Sequence, residues 1–181
     1  MKKIIILLVL FVFISCKKYD KKEKYRDKKP ELENIVNDDI FKLVLNIKIE
    51  EDDKLEVYFA GIDPEIGYNS NERVSKIVKG KNNFQNIEFL LPKDILPYYF
   101  RIDLGDGAYK QKSPIEIKSV TIYLNKNKIV VNDTLINSFF EPNMYLESIN
   151  NGVFNRNEIE GKYDPYLESK PVLNKRIEIE L

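Results

Sequence analysis

The chain has 181 residues, with equal numbers of basic and acidic side chains, one cysteine, and neither histidine nor tryptophan. This composition excludes disulfide bonds within the chain, histidine general bases and Cys/His zinc sites. After Cys16, no serine lies in a Gly-x-Ser-x-Gly or Ser-x-x-Lys motif. We therefore expect a protein that is not an enzyme and that carries no cofactor.

Residues 1–15 have the pattern of a bacterial lipoprotein export signal. Two lysines precede an apolar run from Ile4 to Ile14, which is too short to span a bilayer as a helix. The segment Phe13-Ile14-Ser15-Cys16 resembles the lipobox of bacterial lipoproteins, with Phe13 in place of the usual leucine. The resemblance implies that Cys16 is acylated and anchors an exported protein to the cell envelope. An ordinary secretory signal with an incidental cysteine is the alternative.

Residues 16–38 are predicted to form a basic tether to a domain over residues 39–181. From Lys17 to Lys29 there are eight basic and three acidic residues, a net charge of +5, whereas residues 30–181 carry a net charge of −7. The tether either lies on anionic lipid beside the anchor or is a solvated spacer. The acidic domain argues against a nucleic-acid partner, because phosphate binding needs a basic face.

The domain begins with a clear period of two. Apolar residues alternate with polar ones from Phe41 to Ile49, and the alternation resumes from Leu55 to Phe59 after the turn residues Glu51-Asp52-Asp53-Lys54. Two alternating runs separated by a short polar turn predict a β-hairpin.

Further strands follow at similar spacing along the chain. They are predicted at Arg73–Lys79, Ile87–Leu91, Tyr98–Leu104, Ile115–Leu124, Ile129–Val131 and Leu173–Leu181. The buried parity changes between Ile117 and Val120, which predicts a β-bulge near Lys118-Ser119. Between Ser138 and Tyr163 the pattern is weak, with Asn150-Asn151-Gly152 as a turn.

These elements predict a single all-β domain. Helical periodicity is not sustained for more than about two turns anywhere in the domain, so helix content should be small. Alternation on roughly eight to ten strands favours an antiparallel, jelly-roll-like β-sandwich over a parallel sheet.

Five segments, taken in order, resemble the β-sandwich accessory domains of bacterial membrane and cell-surface proteins, many of them linked to glycan assembly. The segments are Leu55–Phe59, Gly67–Glu72, Ile87–Pro92, Phe100–Gly105 and Ile115–Val120. The resemblance implies a jelly-roll-like or related sandwich with a carbohydrate role, and it brings no catalytic residues. Those domains usually accompany a membrane span or a transferase, whereas this one is predicted to be attached to the membrane by a lipid anchor and to have no such partner domain.

The strand from Tyr98 to Leu104 supplies the principal candidate site. If Phe100 and Ile102 point into the core, then Tyr99, Arg101 and Asp103 form a row on the opposite face. An aromatic plate beside a guanidinium and a carboxylate suits a sugar ring and its hydroxyls. The alternative is a solvated face with an ordinary ion pair. Thr121 and Tyr123 are expected on the matching outer face of the next long strand.

Other candidates lie in loops. Tyr68 and Tyr109 are the aromatic residues best placed to contact a ligand, unless they form a half-buried rim. Asp103 and Asp106 flank glycines and are a weak calcium candidate, because the run lacks the remaining ligands of a calcium loop.

Two classes of function survive. The first is a carbohydrate-binding or glycan-associated module, and the second is a structural or protein-interaction lipoprotein that docks onto an envelope complex through a sheet edge or loop face. A glycosidase needs two carboxylates about 5 to 9.5 Å apart in a cleft, and no spacing in the sequence identifies such a pair.

Overall fold

The computed structural model describes residues 40–61, 67–93, 95–109 and 113–181. Within these ranges the chain forms two antiparallel sheets that pack face to face, so the predicted all-β sandwich with little helix is confirmed. The predicted signal (residues 1–15) and tether (residues 16–38) lie outside the described residues. The described helices are all too short to cross a membrane.

Each sheet is built from strands that are mostly distant in sequence. The first contains β1 (Phe41–Ile49), β4 (Lys81–Leu90), β6 (Ile115–Leu124), β7 (Asn127–Asn132), β9 (Leu146–Asn150) and β10 (Val153–Arg156). The second contains β2 (Asp53–Ala60), β3 (Arg73–Val78), β5 (Tyr99–Asp103), β8 (Phe140–Pro142) and β11 (Tyr166–Ser169). The helices are α1 (Ile136–Phe139) and α2 (Pro171–Glu180), with 3-10 turns at Gly107–Tyr109 and Asp133–Leu135.

Both sheets combine strands from the N-terminal and C-terminal halves of the described chain. The first sheet has the order β4-β1-β6-β10-β9, with β7 also paired to β6, and the second has the order β3-β2-β5-β11-β8. Apolar residues that alternate along each strand fill the space between the sheets, including Leu43, Val57, Phe100 and Ile122, all fully buried. Burial of each such side chain contributes about 1.5–3 kcal/mol to folding.

The predicted hairpin between the first two strands is wrong. β1 pairs with β4 and β6, whereas β2 pairs with β3 and β5 in the opposite sheet. The chain between Ile49 and Asp53 therefore crosses from one sheet to the other. The alternation identified both strands but carried no information about their partner, because each strand needs only a buried inner face.

The bulge predicted near Lys118-Ser119 is confirmed. Asn46 pairs with Ser119 and Ile47 with Ile117, so Lys118 is the extra residue on β6. The shift keeps Ile115 and Ile117 on the same inner face as Val120 and Ile122, in agreement with their burial.

The predicted C-terminal strand is wrong, because residues Pro171–Glu180 form the helix α2. The buried residues Leu173 and Ile177 are four positions apart, which is one helical turn, while Ile179 is 71% exposed. Pro171 at the start suits the first turn of a helix. The Arg176 guanidinium bonds Glu180 one turn later, which adds a modest stabilisation.

The weakly patterned region from Ser138 to Tyr163 contains the end of α1 and three short strands, β8, β9 and β10. The turn predicted at Asn150-Asn151-Gly152 is confirmed between β9 and β10. Gly152 has φ +69°, and a Cβ atom there would lie 2.3 Å from the carbonyl oxygen of Ile117. Only glycine fits this close approach.

A buried ion pair joins the two sheets. Arg156 on β10 donates to the carboxylate of Asp53 on β2, and neither side chain is more than 1% exposed. The same guanidinium donates to the Leu104 carbonyl at 2.9 Å, and the Lys54 backbone N–H donates to Asp53 at 2.7 Å. Burial raises the pKa of Asp53, although Arg156 opposes the rise.

Candidate binding surface

The outer face of β5 holds the predicted row. Phe100, Ile102 and Leu104 are fully buried, while Tyr99 and Arg101 are half-buried and turned away from the core. The inward and outward assignment from strand parity is therefore confirmed. Asp103, which was predicted on the same outer face, is only 6% exposed, because its neighbours on that face cover it.

Arg101 is held by two carboxylates. Its Nε and Nη2 atoms donate to the two oxygens of Asp103 at 2.7 and 3.0 Å, and Nη2 also donates to Asp164 at 2.6 Å. A bidentate pair of this kind fixes the orientation of the guanidinium plane. The predicted pair between Arg101 and Asp103 thus forms, and it extends to Asp164, which the sequence pattern did not indicate.

Two tyrosines flank the same guanidinium. The Arg101 Cζ atom lies 3.8 Å from the ring centroid of Tyr166 on β11 and 5.4 Å from that of Tyr58 on β2. Tyr68 packs edge-on against Tyr58, with 6.3 Å between centroids. We call Tyr58, Arg101, Asp103, Asp164 and Tyr166 the arginine cluster.

Sequence reasoning missed both flanking tyrosines. The position of Tyr58 could have been predicted, because Val57 and Phe59 point inward and Tyr58 between them must point to the outer face. The position of Tyr166 could not have been predicted, because β11 has only four residues and the sequence around it shows no clear alternation.

The surroundings of Asp103 raise the pKa of its carboxyl group. Burial raises the pKa of Asp103 to about 6, against the opposing effect of Arg101 and with a further rise from Asp164 and Glu56. Glu56 is the register partner of Asp103 on β2. Its carboxylate accepts a hydrogen bond from the Ser75 hydroxyl at 2.5 Å and lies 3.3 Å from the Lys54 ammonium.

We expect the titration of Asp103 to lower the free energy of unfolding by about 1 kcal/mol between pH 5 and pH 7. The folded-state pKa of Asp103, about 6, is above the ordinary value near 3.9 of an unfolded chain, so the folded state binds more protons in this interval. The added stability is present at low pH and is lost as the pH rises through 6. Urea unfolding of the wild type and Asp103→Asn at pH 5, 6 and 7 measures the difference.

The fall in the Asp103→Asn variant should be smaller than in the wild type by about 1 kcal/mol, because the amide does not titrate. Asp53, whose pKa is also raised, is present in both proteins and cancels from the comparison. The Asp164→Asn variant removes the other carboxylate from Arg101 and should retain most of the fall. An equal pH dependence in the wild type and Asp103→Asn would contradict the assignment.

Tyr99 lies apart from these contacts, in an open groove of about 540 Å³. The groove runs between the end of β2, the start of β5 and one side of α2. Its lining residues are Gly61, Tyr98, Tyr99, Pro171, Asn174, Lys175 and Glu178. Lys175 and Glu178 are more than half exposed and pair at 2.7 Å on the rim. The predicted row is thus divided into a solvent-accessible tyrosine and a self-contained ion pair.

The remaining predicted residues have different surroundings. The backbone of Tyr109 belongs to the 3-10 turn, but its side chain lies outside the described residues. The Asp106 carboxylate accepts from the Ala108 N–H at 3.0 Å and from the Lys54 ammonium at 3.1 Å, while Asp103 is paired with Arg101. In the described ranges there is no group of three or more potential metal ligands.

Thr121 and Tyr123 lie on an outer face, but this face does not adjoin that of β5. They lie on β6, which belongs to the first sheet, so their outer face is on the opposite side of the sandwich from that of β5. Lys42 covers the Tyr123 ring at 4.8 Å. Parity placed both residues on the outer face of β6 but could not show which sheet β6 joins.

Comparisons with family models, curated proteins and solved structures find no match to this chain. The inference of function therefore depends on the geometry of the surface described above.

Proposed function

We propose that the protein is an exported, lipid-anchored and non-catalytic module of a bacterial cell envelope, and that it binds carbohydrate in the groove beside Tyr99. The observation that carries the proposal is one open groove that is lined by Tyr99 together with the exposed Lys175–Glu178 pair. Its volume of about 540 Å³ is within the range of small-molecule sites.

The chemistry of the groove suits a sugar. An aromatic ring can stack on the apolar face of a pyranose, while an ammonium and a carboxylate exchange their mutual contact for hydrogen bonds to hydroxyls. The Lys175–Glu178 pair is exposed and weak, so this exchange costs little. The Asn174 side chain, in contrast, is buried beneath the groove, where it supports the start of α2.

In this proposal the arginine cluster is a structural part of the second sheet and does not contact the sugar. Arg101 already bonds Asp103 and Asp164 and stacks on Tyr166, so truncating it disturbs the contact of β5 with β11 and with the loop before β11. We therefore assign direct contact to Tyr99 and a structural role to Arg101. Lipidation at Cys16 and export remain part of the proposal, supported by the lipobox-like segment alone.

Tyr99→Ala should weaken glycan binding by about tenfold or more, which corresponds to roughly 1.4 kcal/mol or more of lost stacking and hydrogen bonding. A glycan array probed with the wild type selects the ligand, and calorimetric titration of that ligand measures the loss. Tyr123→Ala is the matched control, since Tyr123 is a half-buried tyrosine on the opposite outer face.

The control variant should bind as tightly as the wild type, and both variants should melt within a few degrees of it. If the array shows no bound glycan, the carbohydrate proposal fails and the protein-interaction class takes its place. Equal affinity of Tyr99→Ala and the wild type would instead place the ligand elsewhere.

A further inference from the structure

The strand β4 leaves one long edge of the first sheet uncovered by the described residues. It pairs with β1 on one side, and no other described strand pairs with it. Its ten residues include only two charges, Lys81 and Glu88, whereas the six-residue edge strand β3 carries Arg73 and Lys76. Phe84 and Leu90 on its outer face are 41% and 60% exposed. Natural sheets usually protect such an edge with charges or proline.

The hydrogen bonds of β1 show which backbone groups of β4 point outward. The Leu91 N–H donates to the Phe41 carbonyl at 3.0 Å, while Lys42 and Leu90 are register partners. In an antiparallel ladder this makes Lys42 and Leu90 a non-hydrogen-bonded pair, so the N–H and C=O of Leu90 point away from β1. The same alternation turns the backbone groups of Glu88 and Asn86 outward, and it ends at Gln85, where the register between β1 and β4 shifts.

We propose that this edge pairs with β4 of a second copy of the chain, antiparallel and with the two-fold axis at Ile87. Phe84 then lies opposite the partner's Leu90, and Asn86 lies opposite the partner's Glu88. Asn86 and Glu88 have outward backbone groups, so each Asn86–Glu88 pair exchanges two hydrogen bonds, and the Phe84–Leu90 pair adds an apolar side-chain contact. The two exposed apolar side chains of each strand gain an apolar neighbour, and each carboxylate meets an amide.

Neighbouring registers fit less well. With the axis at Glu88, the two Glu88 carboxylates lie directly opposite each other, and like charges in that position are destabilising. With the axis at Asn86, Phe84 lies opposite the partner's Glu88, which leaves the aromatic ring against a charge. The axis at Ile87 therefore has the best side-chain match, and the two first sheets become continuous across it.

Single-cysteine cross-linking tests the register in the full chain carrying Cys16→Ser. Ile87→Cys places two thiols at the axis as a non-hydrogen-bonded pair, with Cα atoms about 4.5 Å apart and within disulfide range. Gln85→Cys is the matched control on the same strand and the same face. Its two copies would be roughly 13 Å apart, too far to bridge. We expect Ile87→Cys to form the linked dimer at least about tenfold faster.

Sedimentation equilibrium provides a second test that needs no cysteine on β4. Glu88→Pro removes an outward N–H that β1 does not use, so the monomer should fold while pairing is blocked. Glu88→Ala removes the same carboxylate and keeps the N–H, so it should still self-associate, much more strongly than Glu88→Pro. Equal cross-linking at positions 85 and 87, a monomeric wild type at several hundred micromolar, or unchanged association of Glu88→Pro would each overturn the proposal.

Discussion

Arg156→Met is expected to lower the free energy of unfolding by about 3–5 kcal/mol. The substitution leaves the Asp53 carboxylate in the core with its charge uncompensated, because both side chains are almost fully buried between the sheets. It also removes the donor to the Leu104 carbonyl. Urea unfolding at pH 7, monitored by circular dichroism, measures the loss.

Two comparisons make this result specific. Adding Asp53→Asn to Arg156→Met removes the buried charge and should recover part of the loss. Arg176→Ala breaks an ion pair with Glu180 whose side chains are 33% and 41% exposed, and it should cost no more than about 0.5 kcal/mol. If Arg156→Met costs no more than Arg176→Ala, the buried pair does not join the sheets in the way described.

Cys16→Ser is expected to transfer the protein from the membrane fraction to the soluble fraction almost completely. An acyl chain buried in the bilayer contributes about 0.8 kcal/mol per methylene, and a basic tether without a lipid gives only salt-sensitive attachment. Cell fractionation followed by a high-salt wash measures the distribution.

Ser15→Ala is the matched control, because it keeps a small residue before the cleavage point and the cysteine itself. This variant should remain with the membranes. Sedimentation of Cys16→Ser with membranes after the salt wash would contradict the lipid anchor.

The face of each strand could be predicted from the sequence, but its partner could not. Parity placed Phe100 and Ile102 inward, and it located the bulge at Lys118. Parity says nothing about which sheet a strand joins, so β1 and β2 were wrongly paired. A strand order in which neighbours are far apart in sequence depends on the packing of the whole core.

The C-terminal helix shows a second limit. In Leu173–Leu181 the apolar residues fall on alternate positions, except at Lys175, and this alternation favoured a strand. The spacing of Leu173 and Ile177 fits a helix equally well. Pro171 before them was the local signal that could have favoured a helix over a strand.

The candidate surface was predicted in part. The sequence indicated Tyr99, Arg101 and Asp103 correctly as members of one outer row. It could not show that Tyr99 faces a groove completed by α2, because that helix comes from residues more than 70 positions away. The contacts of Asp164 and Tyr166 with Arg101 could not be predicted from the sequence either, since they depend on the pairing of β5 with β11.

The most direct test of the proposed function is to map the bound glycan on the protein by NMR. Titration of the array-selected glycan into the ¹⁵N-labelled protein should shift the amide signals of Gly61, Tyr99 and Lys175, which line the groove. The signals of Thr121 and Val130, on the outer face of the other sheet, should not move. Shifts confined to that opposite face, or no shifts at saturating glycan, would contradict carbohydrate binding at the Tyr99 groove.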